Sequence, residues 1–198
     1  MEGGNRVLGL DYIAGRRQRK IVKGQRLKEG IRRTKRGIWL LTAGAASGRL
    51  WVIGTCPSIT YGGEVYGVNG HELGIIRKLA GAASLPGGGG RSLTWAFRCL
   101  KHRKGDPMLG PGIVAAVAWS REVWMRQADL AGVRLAWQYA NSTMGGAKRP
   151  WARVRGPATA TWATLLRLGW RFTSPVESTV KVCSVLNMLN LSPIKVKK

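Results

Sequence analysis

The sequence predicts a mainly α fold with small β elements at both ends, and three observations support this class. Apolar residues recur at helical spacing in several stretches of the chain. Glycine and proline stand where such stretches begin or stop, as at Gly156-Pro157 and Gly169. Hydrophobic residues make up 44% of the 198 residues and nine are Trp, so the chain can bury a real core.

The N-terminal part is predicted to contain a short strand followed by a very basic helix. The apolar run 7–13 is typical of a strand, and the segment 16–36 carries eleven Lys and Arg residues with Glu29 as its only acid. A narrow apolar stripe at helical spacing is formed by Leu27, Ile31, Thr34, Ile38 and Leu41. Three glycines interrupt this helix, each at a cost of about 1 kcal/mol relative to Ala. The helix therefore depends on packing or on a ligand.

The middle of the chain is predicted to form a helical core. One helix begins after Asn69-Gly70, with Leu73 and Ile76 facing inward. A second helix covers 91–104 with Leu93, Phe97 and Leu100 inward, and Asp106-Pro107 is typical of an N-cap followed by proline at the first helical position. The helix 113–127 is expected at the centre of the core, on a stripe of Ile113, Val117, Ser120 and Trp124.

Two helices and short strands are predicted beyond position 129. One helix is predicted over 130–141, with a break where Met144 is followed by two glycines, and another should open at Gly156-Pro157. We therefore expect three regions: 1–45 with a strand and the basic helix, 46–142 as a helical core, and 150–198 with a C-terminal helix, short strands and a basic tail.

The net charge of the chain predicts a polyanionic partner. Against 33 Lys and Arg stand 9 Asp and Glu, for a formal charge of +24. A folded protein of this charge repels itself, and a polyanion offsets that repulsion. We therefore expect binding to the phosphate backbone of RNA, DNA or a hybrid duplex. The predicted contact residues are Arg16, Arg17, Arg19, Lys20, Lys23, Arg26, Lys28, Arg32, Arg33, Lys35, Arg36, Lys101, Arg103 and Lys104.

No catalytic residues, metal ligands, cofactor or small-molecule substrate are predicted. Two-metal phosphoryl chemistry needs converging carboxylates, whereas Asp11, Asp106 and Asp129 lie far apart in the sequence. His71 and His102 lack a Cys at ligand spacing. The run 87–90 of four glycines lacks the spacing of a phosphate-binding loop, and a flexible linker is the simpler interpretation.

Aromatic and thiol side chains are expected mainly in the core. Trp119, Trp124, Trp137 and Trp162 stand at apolar helical positions, which favours packing over base stacking. Trp39, beside the basic helix, is the candidate for stacking. Cys56 and Cys99 lie in apolar contexts and are also expected in the core.

The expected location is intracellular and nuclear. The three cysteines form no CxxC pair, which favours a reducing compartment. No signal peptide and no segment of the about 20 apolar residues that a spanning helix needs are visible, so we expect no membrane partner.

Taken in order, several short motifs resemble the region C-terminal to the palm of reverse transcriptases encoded by non-LTR retrotransposons, in the form found in protist genomes. The motifs are Val7-Leu8-Gly9-Leu10-Asp11-Tyr12, the Tyr61-Gly62-Gly63-Glu64-Val65-Tyr66-Gly67 segment, Gly90-Arg91-Ser92-Leu93, Gly105-Asp106-Pro107, Trp119 to Trp124, Gly156-Pro157, Leu168-Gly169-Trp170 and Ser174-Pro175. They span nearly the whole chain, and the resemblance depends on their order.

The resemblance implies a helical bundle of thumb and connector type, with 16–36 as the thumb helix along a primer–template backbone. Its parent activity is RNA-directed DNA polymerase, but the catalytic Tyr-x-Asp-Asp turn of that family is absent, and Lys101 to Lys104 looks like an insertion. Polymerase activity is therefore not carried over, and a truncated or decayed copy is implied. The alternative is a stand-alone basic RNA-binding protein, similar in composition to a ribosomal protein.

Overall fold

The computed structural model describes residues 5–7, 10–12, 21–42, 47–84, 90, 92–99, 106–125, 129–172, 174, 177–180 and 184–187. Most of these residues are helical, which confirms the mainly α class. The helices are α1 Ile21–Thr42, α2 Ser47–Leu50, α3 Cys56–Thr60, α4 Gly63–Tyr66, α5 Gly70–Ser84, α6 Leu93–Cys99, α7 Val114–Trp124, α8 Leu130–Met144 and α9 Pro157–Arg167. A π-helical turn, Trp51–Thr55, joins α2 to α3, and a 3₁₀ turn, Pro150–Ala152, precedes α9.

Short antiparallel strands complete the described elements. β1 Asn5–Val7 pairs with β2 Leu10–Tyr12, so that Asn5 lies opposite Tyr12. The strands β3 Trp170–Phe172, β4 Glu177–Val180 and β5 Ser184–Asn187 form a second sheet in the order β3-β4-β5. The buried residues described below come from the helices and the turns that connect them.

The described residues fall into two units that do not follow chain order. Unit 1 contains those within 1–61 and 70–108, and unit 2 those within 62–69 and 109–198. The predicted regions 1–45, 46–142 and 150–198 stay a prediction.

The core of unit 1 lies between α1, α3, α5 and α6. Leu73, Ile76 and Phe97 are buried, as predicted, and Leu93 is partly buried, whereas the side chain of Leu100 lies outside the described residues. Among the other buried apolar residues of this unit are Trp51, Ile59, Ala80 and Ala83. Trp51 and Ile59 come from a segment, 47–60, for which the sequence predicted no helix.

A bidentate ion pair ties α5 to the turn that follows α6. Arg77 donates from Nε to Asp106 Oδ1 and from Nη2 to Asp106 Oδ2, both at 3.0 Å, and both side chains are mostly buried. Asp106 Oδ1 also accepts from the Met108 amide at 2.9 Å. The predicted N-cap at Asp106 is therefore wrong, because this carboxylate is engaged by Arg77 and α7 begins only at Val114.

The core of unit 2 lies between α7, α8 and α9, and many of the buried side chains on α7 and α9 are small. Every residue of 158–165 in α9 is buried, and most are Ala or Thr. Small residues allow close helix packing, and Thr161 Oγ1 donates to the Ala115 carbonyl of α7 at 3.1 Å. The main apolar cluster consists of Ala115, Ala116, Trp137, Met144, Val154, Ala160, Trp162, Ala163 and Leu165.

The face of α7 that packs inward differs from the predicted one. Ala115, Ala116, Ser120 and Val123 are buried, whereas Trp124 is 44% exposed. The prediction for Ser120 is confirmed and that for Trp124 is wrong. Close packing against the Ala- and Thr-rich α9 favours the alanine face of α7, which the pattern of large apolar residues does not indicate.

The boundaries of the last two helices follow the predicted signals. Asp129 caps α8, since its carboxylate accepts from the amides of Ala131 and Gly132 at 3.1 Å. This helix ends at Met144, three residues beyond the predicted range 130–141 and directly before the two glycines predicted to break it. Pro157 occupies the start of α9, and Gly169 follows it with a φ of 76°, a conformation that favours glycine.

Arg167 at the end of α9 fastens two neighbouring segments of unit 2. Its Nη1 donates to the Val68 carbonyl at 2.7 Å and its Nη2 donates to the Gly112 carbonyl. The guanidinium lies 5.0 Å from the centre of the Trp151 ring. Burial lowers the pKa of Arg167 from its ordinary value, but the group keeps its charge because guanidinium pKa values are so high.

Replacing Arg167 should destabilise unit 2. We expect Arg167→Met to lower the free energy of unfolding by about 2–4 kcal/mol, because two partly buried carbonyls lose a charged donor. Arg134→Met on the exposed face of α8 is the matched control and should change it by less than about 0.5 kcal/mol. Chemical denaturation followed by circular dichroism measures both. Equal stability of the two variants would contradict this assignment.

Candidate nucleic-acid interface

The inward face of α1 is fixed by a close approach to α3. A β-carbon at Gly30 would overlap the side chain of Ile59, which is itself buried. One turn further on, Thr34 Oγ1 donates to the Gly30 carbonyl at 2.8 Å and accepts from Trp51 Nε1 at 3.1 Å. Thr34 is 2% exposed. These contacts determine which side of the helix faces solvent.

The predicted apolar stripe lies on this inward face. Thr34 is buried, and Leu27, Ile31 and Ile38 are partly buried. The side chain of Leu41 lies outside the described residues. Of the two predicted supports for the glycine-containing helix, packing or a ligand, packing is present at Gly30, where the absence of a side chain permits the contact with α3.

Two of the predicted contact residues are engaged within unit 1. Lys23 Nζ lies 2.6 Å from Glu72 Oε2 of α5, and both side chains are largely buried. Arg26 lies over the Tyr61 ring, 4.5 Å from its centre, and its Nη1 donates to the Tyr61 carbonyl at 3.4 Å. Lys23 therefore serves the fold, and Arg26 is held at the edge of the solvent-facing side.

Glu29 shares its single charge between two arginines. Its carboxylate lies 3.4 Å from Arg32 Nη1 and 3.4 Å from Arg33 Nε. The side chains of Arg32 and Arg33 are 66% and 49% exposed, and exposed pairs of this kind contribute little. One carboxylate also cannot neutralise two cations, so this part of α1 stays positive.

The remaining cations form a continuous face on the solvent side of α1. Lys28, Lys35 and Arg36 are exposed, and none of them forms an ion pair with a described residue. Together with Arg32 they occupy positions i, i+4, i+7 and i+8, which lie on one side of an α-helix. We call these four residues the basic stripe.

Trp39 extends the basic stripe by one turn. It stands at i+3 from Arg36 and i+4 from Lys35, so its Cβ lies about 5–6 Å from theirs. Its side chain is 78% exposed. The aromatic candidate singled out in the sequence thus shares a face with the cations of α1.

The predicted contact residues therefore divide into three groups. Lys28, Arg32, Arg33, Lys35 and Arg36 are exposed on α1, and Lys23 and Arg26 make the contacts described above. The remainder lie outside the described residues: Arg16, Arg17, Arg19, Lys20, Lys101, Arg103 and Lys104. Sequence reasoning missed Glu72 and Tyr61 as the partners of Lys23 and Arg26, because they are 49 and 35 positions away.

The Trp and Cys side chains were predicted to lie mainly in the core, and only some of those that the structure describes are buried. Trp137 and Trp162 are buried, as predicted, and the Trp119 ring packs 5.7 Å from that of Trp137. Cys56 is partly buried, and burial raises the pKa of its thiol to about 11. The thiol is therefore protonated at neutral pH and is a poor nucleophile.

Within the described ranges, no three His, Cys, Asp or Glu side chains are grouped so that they could hold a metal ion. In the same part of the chain, no helix combines the length and the apolar character needed to cross a membrane. Two of the aspartates considered for catalysis have structural contacts, Asp106 with Arg77 and Asp129 as the cap of α8.

Comparison with known proteins identifies no relative. No protein-family model, no curated protein and no solved structure matches the chain.

The contact between Gly30 and Ile59 gives a stability test of the orientation of α1. Gly24→Ala should raise the free energy of unfolding by about 0.5–1 kcal/mol, because no atom lies near that position and Ala favours the helix. Gly30→Ala should lower it by about 1–3 kcal/mol, since the new methyl group overlaps Ile59. Denaturant melts of the two variants measure both effects.

A double variant separates this contact from a general effect on the helix. Ile59→Ala alone should be destabilising through the cavity that it leaves, which the methyl group of Gly30→Ala partly fills. The double variant should therefore be more stable than the sum of the single effects by at least about 1 kcal/mol. Additive effects would show that the two residues do not meet.

Proposed function

We propose that the chain binds nucleic acid through the phosphate backbone, without sequence specificity and without catalysis of its own. The observation that carries the proposal is the basic stripe of Lys28, Arg32, Lys35 and Arg36, flanked by Arg33, on the solvent side of a packed helix. Lys and Arg on one face neutralise successive phosphates and release the counterions condensed on them.

The electrostatics of the whole chain support this proposal. The 9 acids leave 24 of the 33 Lys and Arg charges without a counterpart, and some of these acids are already engaged, as Glu72 is by Lys23 and Asp106 by Arg77. These two acids thus serve the fold, while the exposed side of α1 keeps its positive charge. Such a surface attracts a polyanion more strongly than an electrically balanced surface does.

Lack of sequence specificity follows from the kind of groups involved. Lys and Arg that contact phosphates set position and orientation but do not distinguish bases. Specific readout requires side chains that reach base edges in a groove. Four cations spaced along a single helical face fit contact with a backbone better than a pattern of base contacts.

The origin of the chain stays a separate prediction. The ordered motifs resemble the thumb and connector region of non-LTR reverse transcriptases, and we propose this origin for a nucleic-acid-binding fragment with a nuclear location. A palm with its Tyr-x-Asp-Asp turn, encoded in frame upstream of Met1, would support it. Co-sedimentation with ribosomal subunits would instead support the alternative of a ribosomal type of RNA-binding protein.

The salt dependence of binding tests the proposed interface. Five exposed cations on α1 predict that log K falls against log salt with a slope of about −4 to −5 for duplex DNA. Replacing Arg32, Lys35 and Arg36 by Gln should flatten this slope by about 2–3, with similar losses on unrelated sequences. Fluorescence anisotropy over a salt titration measures the slope.

The matched control removes three charges from unit 2. Arg121, Arg134 and Arg149 are exposed there, and their replacement by Gln changes the net charge equally. This variant should flatten the slope by less than about 1. Equal losses from the two triple variants would mean a diffuse polycation and would contradict an interface on α1. Circular dichroism of both variants checks that they are folded.

A further inference from the structure

The position of Trp39 adds a second kind of interaction to the basic stripe. Lys35 and Arg36 lie one turn before it on the same face of α1, and Trp39 is 78% exposed. A phosphate bound by either cation would place the neighbouring base within reach of the indole. The arrangement combines cations that hold a backbone with a flat aromatic surface for one of its bases.

The state of the bound strand follows from this geometry. In a duplex the two faces of every base are covered by the neighbouring bases, so an indole beside the backbone has no face to contact. An unpaired base can turn outward and stack on an aromatic side chain. The pairing of Trp39 with Lys35 and Arg36 therefore matches a single strand better than a continuous duplex.

We propose that Trp39 is a stacking platform for an unpaired base, so that the basic stripe selects single-stranded over closed duplex nucleic acid. This inference rests on the proposed function, since the stripe must first hold the phosphate backbone. Stacking of one base contributes about 1–3 kcal/mol, which corresponds to a preference of roughly 5- to 150-fold.

An anionic membrane surface is the other partner that a basic helix with an exposed Trp could suit. A helix that lies in a membrane interface needs a wide apolar face turned toward the lipid. In α1 the side with Leu27, Ile31 and Thr34 packs within unit 1, and the outer side is mainly charged. The charged outer side and the packed apolar side of α1 thus favour a nucleic-acid strand over a membrane surface as the partner.

The experiment compares two ligands of similar charge. One is a single strand of about 12 thymidines, within the ~4–16-nucleotide range of known single-strand sites, labelled with one 2-aminopurine. The other is a duplex closed by hairpins at both ends, so that it offers no terminal base pair. Affinity is measured for the full chain and for Trp39→Ala, Trp39→Phe and Trp95→Ala.

Trp95 provides the matched control, because it is 67% exposed in α6 of the same unit and lies outside the basic stripe. We expect Trp39→Ala to weaken single-strand binding at least about 5-fold and duplex binding less than about 2-fold, with an unchanged salt slope. Trp39→Phe should retain most of the preference. Quenching of 2-aminopurine should be lost in Trp39→Ala and kept in Trp95→Ala.

The outcomes separate this inference from the proposed function. Salt-dependent binding of both ligands with no selective loss in Trp39→Ala would overturn the stacking platform and leave the proposed function standing. A chain that binds neither ligand would overturn both. Binding to phosphatidylserine vesicles that depends on Trp39 and is not displaced by the single strand would also overturn the platform.

Discussion

Gly30 meets the side chain of Ile59 so closely that a β-carbon at position 30 would overlap it. A helix held at such a point cannot rotate without losing the contact, and the hydrogen bond from Trp51 to Thr34 fixes the next turn. Because residues 3 and 4 apart share a face, the inward face determines the outward one. Packing at Gly30 and Thr34 therefore decides that Lys28, Arg32, Lys35 and Arg36 point into solvent.

The charge of α1 has two different uses. Near the start of the helix, the charges of Lys23 and Arg26 stabilise the fold through contacts with Glu72 and Tyr61. From Lys28 to the end of α1, Glu29 is the only acid, and one carboxylate cannot balance the five exposed cations of this part of the helix. The unbalanced charge thus lies on the exposed side of a packed helix. This is where a polyanion can approach it.

Signals from neighbouring residues predicted much of the fold, whereas contacts between residues far apart in the sequence could not be predicted. The start of α5 near Asn69-Gly70 and the end of α8 at Met144 follow from neighbouring residues. The role of Asp106 depends on Arg77, 29 positions away, and no local pattern shows it. The inward face of α7 was misjudged because its core contacts come from alanines. The basic face was predictable, since periodicity and charge both lie in one segment.

Backbone contacts and base stacking depend differently on salt concentration. This difference matters for how a protein that does not read bases can still distinguish a single strand from a duplex. In the proposed complex, the contribution of Lys35 and Arg36 would weaken as salt rises, because it would come from counterion release. Stacking on an indole depends on an accessible base face and hardly on salt. In the proposed complex stacking adds to the backbone contribution, so its factor in the ratio of single-strand to duplex affinity stays the same at every salt concentration, whereas the total affinity falls as salt rises. Salt should therefore change the affinity for every strand, and Trp39→Ala should change the ratio between single strand and duplex.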